Sequence, residues 1–455
     1  MAGQKSSATT LVAFACVTTL FFAWGFITSL NDPVVTAVKG IFCLTDFRAQ
    51  LAASAFFIAY GVASFPAAVM LSRLKSIPTI LIALVMMVAG CLLMLAAANL
   101  VIYELVLLGL FVLARGITVL QVAANPLAAA LGDPRYSHFR LTFSQTFNSL
   151  GTFIGPYLGA MLFLRGIETK TCATSAAARA ASLGGIDNAY LWICGLLAAL
   201  ALFFVLVRKV VTQAAPPTSD EAARRGVVAV IADAFSSRWA LLGGAAIFLY
   251  VGAEVSIGTQ MAFFLHSDAI WGQTDAPLGF PLIGRIMRAG ADGVFGISAQ
   301  EAGLAVALYW GGAMVGRAIG SLLLAVVRAS WLLVVFTAIA TAMCLYVFAV
   351  GGVSAGVVAL CIGLFNSIMF PVIFTLTLER STASEEATSG FLCTSIVGGA
   401  AIPPLVGYVA GATHSYVTAF VVPAACYALL CLFAIAAGKA RVVRGEDDPA
   451  VASIH

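Results

Sequence analysis

Polar side chains set inside long apolar runs are the residues of this chain that could do chemistry. Each is expensive there, since a charge at a bilayer centre costs roughly 2.5 to 3.5 kcal/mol on insertion scales. Asp32 follows Asn31 and precedes Pro33, with Thr28 one turn earlier on the same helical face. The proline removes a backbone donor and leaves carbonyls free at that point. Residues 34 to 38 continue the apolar run to Lys39, which favours Asp32 as part of a span over an ordinary loop residue at a helix end. A desolvated carboxyl can take up and release a proton near neutral pH, which is what a proton coupler must do.

The amides form a second set. Gln121 and Asn125 are four apart and Gln145 and Asn148 three apart, so each pair shares one helix face. Amides both donate and accept, as hydroxyls do, so two such faces make a lining suited to a polyhydroxylated ligand; the alternative is helix-to-helix hydrogen bonding. Glu254 and Gln260 are six apart and would not share a face on a regular helix, although Gly258 between them could relax it. Asn366 stands five residues before Pro371. Trp24, Tyr309 and Trp310 are candidates to stack on a sugar ring, against the commoner role of aromatics as packing. Arg115 and Arg317 read as intramembrane cations partnered by carbonyls or acids.

The elements that must position these residues are membrane helices. Of 455 residues, 62% are hydrophobic and 10% charged, against roughly 45 to 50% and about 25% in an average soluble domain. Mean hydropathy is +1.03. Apolar runs predict spans at 11 to 38, 48 to 71, 78 to 98, 103 to 130, 142 to 164 and 188 to 207. Six more follow at 241 to 265, 301 to 326, 331 to 350, 352 to 378, 388 to 411 and 416 to 437. The first run is too long for a signal-peptide core and lacks a cleavage-like site, so it reads as a retained helix. The fold class is therefore an all-α polytopic membrane protein, with a six-helix half at 1–210, a cytoplasmic linker at 211–240 and a second half at 241–455.

With both termini inside, inner loops and tails hold fifteen Lys and Arg and outer loops seven, which satisfies the positive-inside rule. The net charge of +4 thus speaks to topology and not to nucleic acid. The halves also repeat. Residues 154–159 (IGPYLG) match 402–407 (IPPLVG) at an offset of 248, Pro126 and Pro371 are 245 apart, and Tyr60 and Tyr309 are 249 apart. A six-plus-six parallel repeat places a ligand between the halves near the membrane midplane, and a monomer is the expected state, although the sequence does not fix it. Eight of the ten cysteines fall in apolar runs as small core residues, while Cys43 and Cys172 share the outer face and could pair. The four histidines have no metal-ligand spacing, and neither a nucleophile with its base nor a cofactor motif is legible, so no cofactor, metal or enzymatic role is expected.

Seven blocks, in order over nearly the whole chain, carry a family likeness: residues 21–24 (FFAW) with 30–32 (LND), 121–126 (QVAANP), 138–141 (HFRL), 145–149 (QTFNS), 250–258 (YVGAEVSIG), 309–317 (YWGGAMVGR) and 363–371 (GLFNSIMFP). Together the blocks resemble the fucose, galactose and glucose:proton symporter family of the major facilitator superfamily. The resemblance implies twelve spans in two pseudo-symmetric halves and uptake of a neutral hexose with a proton by alternating access, in a bacterial inner membrane. By position it assigns the coupling proton to Asp32 and polar sugar-site roles to Gln145 and Asn148. Gln121 departs from the glutamate of the fucose branch and is similar to the glucose and galactose branch. Arg115 departs from a small or apolar position, and the superfamily signature after the second helix survives only as Ala68, Ser72 and Arg73. Asn31, Gln121, Asn125, Gln145, Asn148, Glu254, Gln260, Asn366 and Trp24 are the expected sugar-binding residues. Sodium coupling, and export of drugs or metabolites on the same fold, are the rival readings.

Overall fold

The computed structural model describes residues 7–30, 46–100, 102–163, 176–215, 226–272, 296–297 and 299–443; residues 7, 46–56, 98, 156–163, 176–189 and 299–300 are described by backbone alone. Asn31, Asp32, Cys43 and Cys172 lie outside the described residues. Long helices follow the apolar runs: α1 Ser7–Ser29, α2 Asp46–Leu74, α3 Ser76–Leu100, α4 Tyr103–Ala130, α5 Ser137–Phe163 and α6 Ala176–Ala214. Next come α7 Val227–Ser236, α8 Arg238–Leu265, α9 Ala299–Leu324 and α10 Ala329–Val350. Among the described residues eleven helices are long and apolar enough to cross a membrane. The expected fifth span is α5, which stands outside that count and carries His138, Arg140, Gln145 and Asn148.

Three spans expected as single runs are interrupted. The tenth is α11 Gly352–Asn366 followed by α12 Met369–Arg380. The cause is Pro371, which has no N–H to give the Ser367 carbonyl one turn before it. The eleventh is α13 Glu385–Thr394, a 3-10 turn Ser395–Val397 and α14 Gly398–Thr413, which contains Pro403 and Pro404. The twelfth is α15 Tyr416–Ala419 and α16 Val421–Lys439. The linker is not wholly irregular, since α7 forms within it and buries Val230 and Ala234.

The chain divides into two compact units. Unit 1 comprises Met1–Gly244, Thr377–Ser395 and Val442–His455; unit 2 comprises Ala245–Leu376 and Ile396–Arg441. In unit 1, α3 packs on α4 and α1 on α5. A side chain at Gly25 would collide with the Asn148 carbonyl, so glycine is what lets α1 approach α5 there. Residues 377–395, which belong by sequence to the tenth and eleventh spans, lie against α2, α4 and α7.

That segment is held by polar contacts. The Glu379 carboxylate accepts from Ser137 Oγ at 3.3 Å, pairs with His138 Nε2 at 3.0 Å and binds Arg380 Nη1 at 3.0 Å. Asp233 on α7 accepts from Ser384 N at 3.1 Å and Ser384 Oγ at 2.6 Å. Ser384 is itself the N-cap of α13, so one serine joins the linker helix to the start of the eleventh span. Arg140 donates to the carbonyls of Asp133 (2.7 Å) and Ala129, satisfying the C-terminal end of α4. In unit 2, α9 packs on α11 and α10 on α16. Gly316 and Gly363 have no room for a side chain against the Leu364 and Tyr309 carbonyls, and this close approach sets Arg317 beside the break in the tenth span.

Candidate functional site

Unit 1 gathers the amides of α4 and α5. Gln121 is 7% exposed and its Nε2 donates to the Tyr60 hydroxyl of α2 at 2.8 Å. Gln145 Nε2 donates to Asn125 Oδ1 at 3.4 Å, so the two predicted amide faces meet. Asn148 is half-buried and donates from Nδ2 to the Phe21 carbonyl of α1 at 3.3 Å. Thr18 and Ser144 hydroxyls lie 3.2 Å apart across the same α1–α5 seam. Among the described residues Asn125 Nδ2 and the Thr28 hydroxyl are buried without a hydrogen-bond partner. Such orphans cost about 1 to 3 kcal/mol each and mark places where a ligand or water completes the bonding.

Trp24 is buried, its ring 4.1 Å from Phe21. Tyr60 is marked in the sequence only by its repeat partner Tyr309. Its role as the partner of Gln121 has a counterpart: Asn366 Nδ2 donates to the Tyr309 hydroxyl at 2.7 Å. The repeat therefore preserves an amide-to-tyrosine hydrogen bond between corresponding helices of the two units.

Unit 2 holds a buried ionic and polar cluster. Glu254 Oε1 of α8 lies 3.4 Å from Arg317 Nη2 of α9, with both side chains about a tenth exposed. Arg317 Nε donates to the Ser367 carbonyl at 2.9 Å, the carbonyl that Pro371 deprives of its helical donor. Arg317 thus binds both an acid and a carbonyl. Tyr309 spends its single proton on the Glu254 carbonyl at 3.1 Å, so it can only accept from Asn366. This chain of donors forces the Asn366 nitrogen toward Tyr309 and Tyr427, the latter at 3.2 Å. Oδ1 is left buried with no hydrogen bond among the described residues.

Glu254 and Gln260 do not act together. Gln260 Nε2 donates to the Pro403 carbonyl at 3.3 Å and its Oε1 lacks a partner among the described residues, while Gly258 between them packs on Trp310. Trp310 meets Tyr309 edge-on with centroids 5.1 Å apart. Arg115 lies 5.7 Å from the Phe111 ring, and its Nε is buried without a hydrogen bond among the described residues.

Residues 9–291 match the family model described as Major Facilitator Superfamily. The glucose/galactose transporter of Brucella abortus biovar 1 (strain 9-941) is 36% identical over 428 residues, covering 94% of each chain. The L-fucose-proton symporter of Escherichia coli (strain K12) is 29% identical over 450 residues, covering 95% of this chain and 94% of its own. A crystal structure of a Major Facilitator Superfamily transporter, FucP, in the outward conformation superposes with a TM-score of 0.79 at 26% identity, covering 94% of this chain and 99% of that one.

Proposed function

This chain belongs to the Major Facilitator Superfamily, and within it to the family of fucose, galactose and glucose:proton symporters; on that premise we propose that it takes up a neutral hexose of the glucose or galactose type with a proton. The observation that carries the reading is the set of neutral amides, Gln121, Asn125, Gln145 and Asn148, buried or half-buried in unit 1. Amides match hydroxyls without the desolvation that an ionised group requires. Higher identity to a glucose/galactose transporter than to a fucose symporter supports the branch. So does glutamine rather than glutamate at position 121.

Asn31, Gln260, Asn366 and Trp24 complete the proposed sugar-binding set. Glu254 enters it as the residue that, with Arg317, supports the break in the tenth span. Asp32 carries the coupling proton. The protein works as a monomer in a bacterial inner membrane, with both termini cytoplasmic and halves at 1–210 and 241–455 joined by a cytoplasmic linker. The test is uptake of labelled glucose, galactose, mannose and fucose into proteoliposomes under an imposed pH gradient, with a sodium gradient as control. Uptake of glucose and galactose that follows the pH gradient is the expected result. Uptake that follows sodium and ignores pH, or a preference for fucose, would overturn it.

A further inference from the structure

A proline in a helix leaves the carbonyl four residues earlier without its amide donor. Pro371 does this to Ser367 and Pro126 does it to Val122. The two repeats repair the loss differently. In unit 2 the donor is Arg317 Nε, at 2.9 Å from the Ser367 carbonyl. At the Tyr60–Tyr309 offset of 249, the position equivalent to Arg317 is 317 − 249 = 68, which is alanine. Unit 1 has no arginine there to reach Val122. Instead the Ser389 hydroxyl of α13, fully buried, donates to the Val122 carbonyl at 2.9 Å.

The fit is tight on both sides. An added side chain at Gly390 would meet the Ala68 side chain at 2.7 Å and the Ser64 carbonyl at 3.2 Å. Glycine and alanine thus clear the space through which Ser389 reaches α4. The capped carbonyl is joined to the residue after Gln121, whose amide is in turn held by Tyr60. Ser389 belongs by sequence to the eleventh span, whereas Arg317, Glu254 and Ser367 all lie in unit 2.

We propose that Ser389 is a positioning residue for the sugar site: its hydroxyl replaces the amide that Pro126 lacks and holds the α4 backbone beside Gln121 while residues 377–395 lie against α4. The inference rests on the alternating-access reading, in which that segment must leave α4 once per cycle and give up the bond. The cap thereby links the packing of residues 377–395 to the geometry of Gln121.

The test is amide hydrogen exchange of residues 385–394, read by mass spectrometry on the full-length protein without sugar. Ser389→Ala is expected to raise exchange by about five-fold or more, because it leaves a buried carbonyl unpaired. Ser389→Thr, which keeps the hydroxyl, should stay within about two-fold of wild type. Pro126→Ala restores an N–H to α4, so adding Ser389→Ala to that variant should change exchange little. Wild-type exchange in Ser389→Ala, an equal rise with and without Pro126, or a larger rise for threonine than for alanine would overturn the proposal and leave Ser389 a small packing residue. Because no sugar is present, failure of the sugar reading would show in uptake and leave this exchange pattern untouched.

Discussion

Replacing Glu254 with glutamine keeps the shape of the buried pair on α8 and α9 but removes the carboxylate that faces Arg317. Breaking a buried ion pair from one side costs about 3 to 5 kcal/mol, because the remaining charge is left uncompensated. The lower end applies here, since the Glu254–Arg317 contact is 3.4 Å long and about a tenth exposed. Removing the cation instead has a different consequence. A lone carboxyl can neutralise itself by taking up a proton, whereas a guanidinium cannot release one. Arg317→Met therefore loses mainly the cap on the Ser367 carbonyl, worth about 1 to 3 kcal/mol as an unpaired buried acceptor. The double variant Glu254→Gln/Arg317→Met should then be more stable than Glu254→Gln alone. Thermal unfolding of purified protein in detergent, run as a double-mutant cycle, reads all four. Equal melting of Glu254→Gln and wild type, or simple addition of the two single losses, would refute the reasoning.

Asp32→Asn keeps size but cannot titrate, so gradient-driven accumulation should vanish while sugar exchange across proteoliposomes persists; accumulation that survives removes Asp32 from the coupling role. Gln121→Ala should weaken binding of the preferred hexose and narrow a wild-type preference over fucose of about ten-fold or more, at 1.4 kcal/mol per decade, measured by competition with labelled glucose. Tyr60→Phe, which releases the Gln121 nitrogen held at 2.8 Å, should weaken the same binding by about two- to ten-fold, and unchanged competition curves would detach Tyr60 from the site. Glu379→Ala removes the shared acceptor of Ser137, His138 and Arg380. Exchange of residues 377–395 should then rise by about ten-fold or more, and protection equal to wild type would deny the cluster a role in holding the segment.

The spans were legible because a bilayer leaves a coarse signal, long apolar runs broken by polar turns. Their interruptions are half-legible: Pro371 and the Pro403–Pro404 pair stand in the sequence and each frees the carbonyl four residues earlier, but what answers that carbonyl depends on a neighbour on another helix. Arg317 reads from sequence as a partner for an acid or a carbonyl, and it binds both. Glu254 and Gln260, which would share a face only if Gly258 relaxed the helix, have separate partners, and Gly258 serves close approach of Trp310. The offset between Tyr60 and Tyr309 carried more than topology, since each receives an amide from the corresponding helix. The Glu379 cluster had no local signal, because its partners Ser137 and His138 lie some 240 positions away in the chain. The ten apolar residues of α7 lie in a stretch whose charges and prolines read as linker, and they are too few for a span.

Coupling of hexose entry to proton entry is tested most directly by adding sugar to lightly buffered proteoliposomes that carry no ion gradient, and recording external pH. Glucose or galactose is expected to raise external pH as it enters and fucose far less, and Asp32→Asn should abolish the rise while labelled sugar still exchanges. Sugar entry with no change in pH, or a pH response that needs sodium, would contradict it.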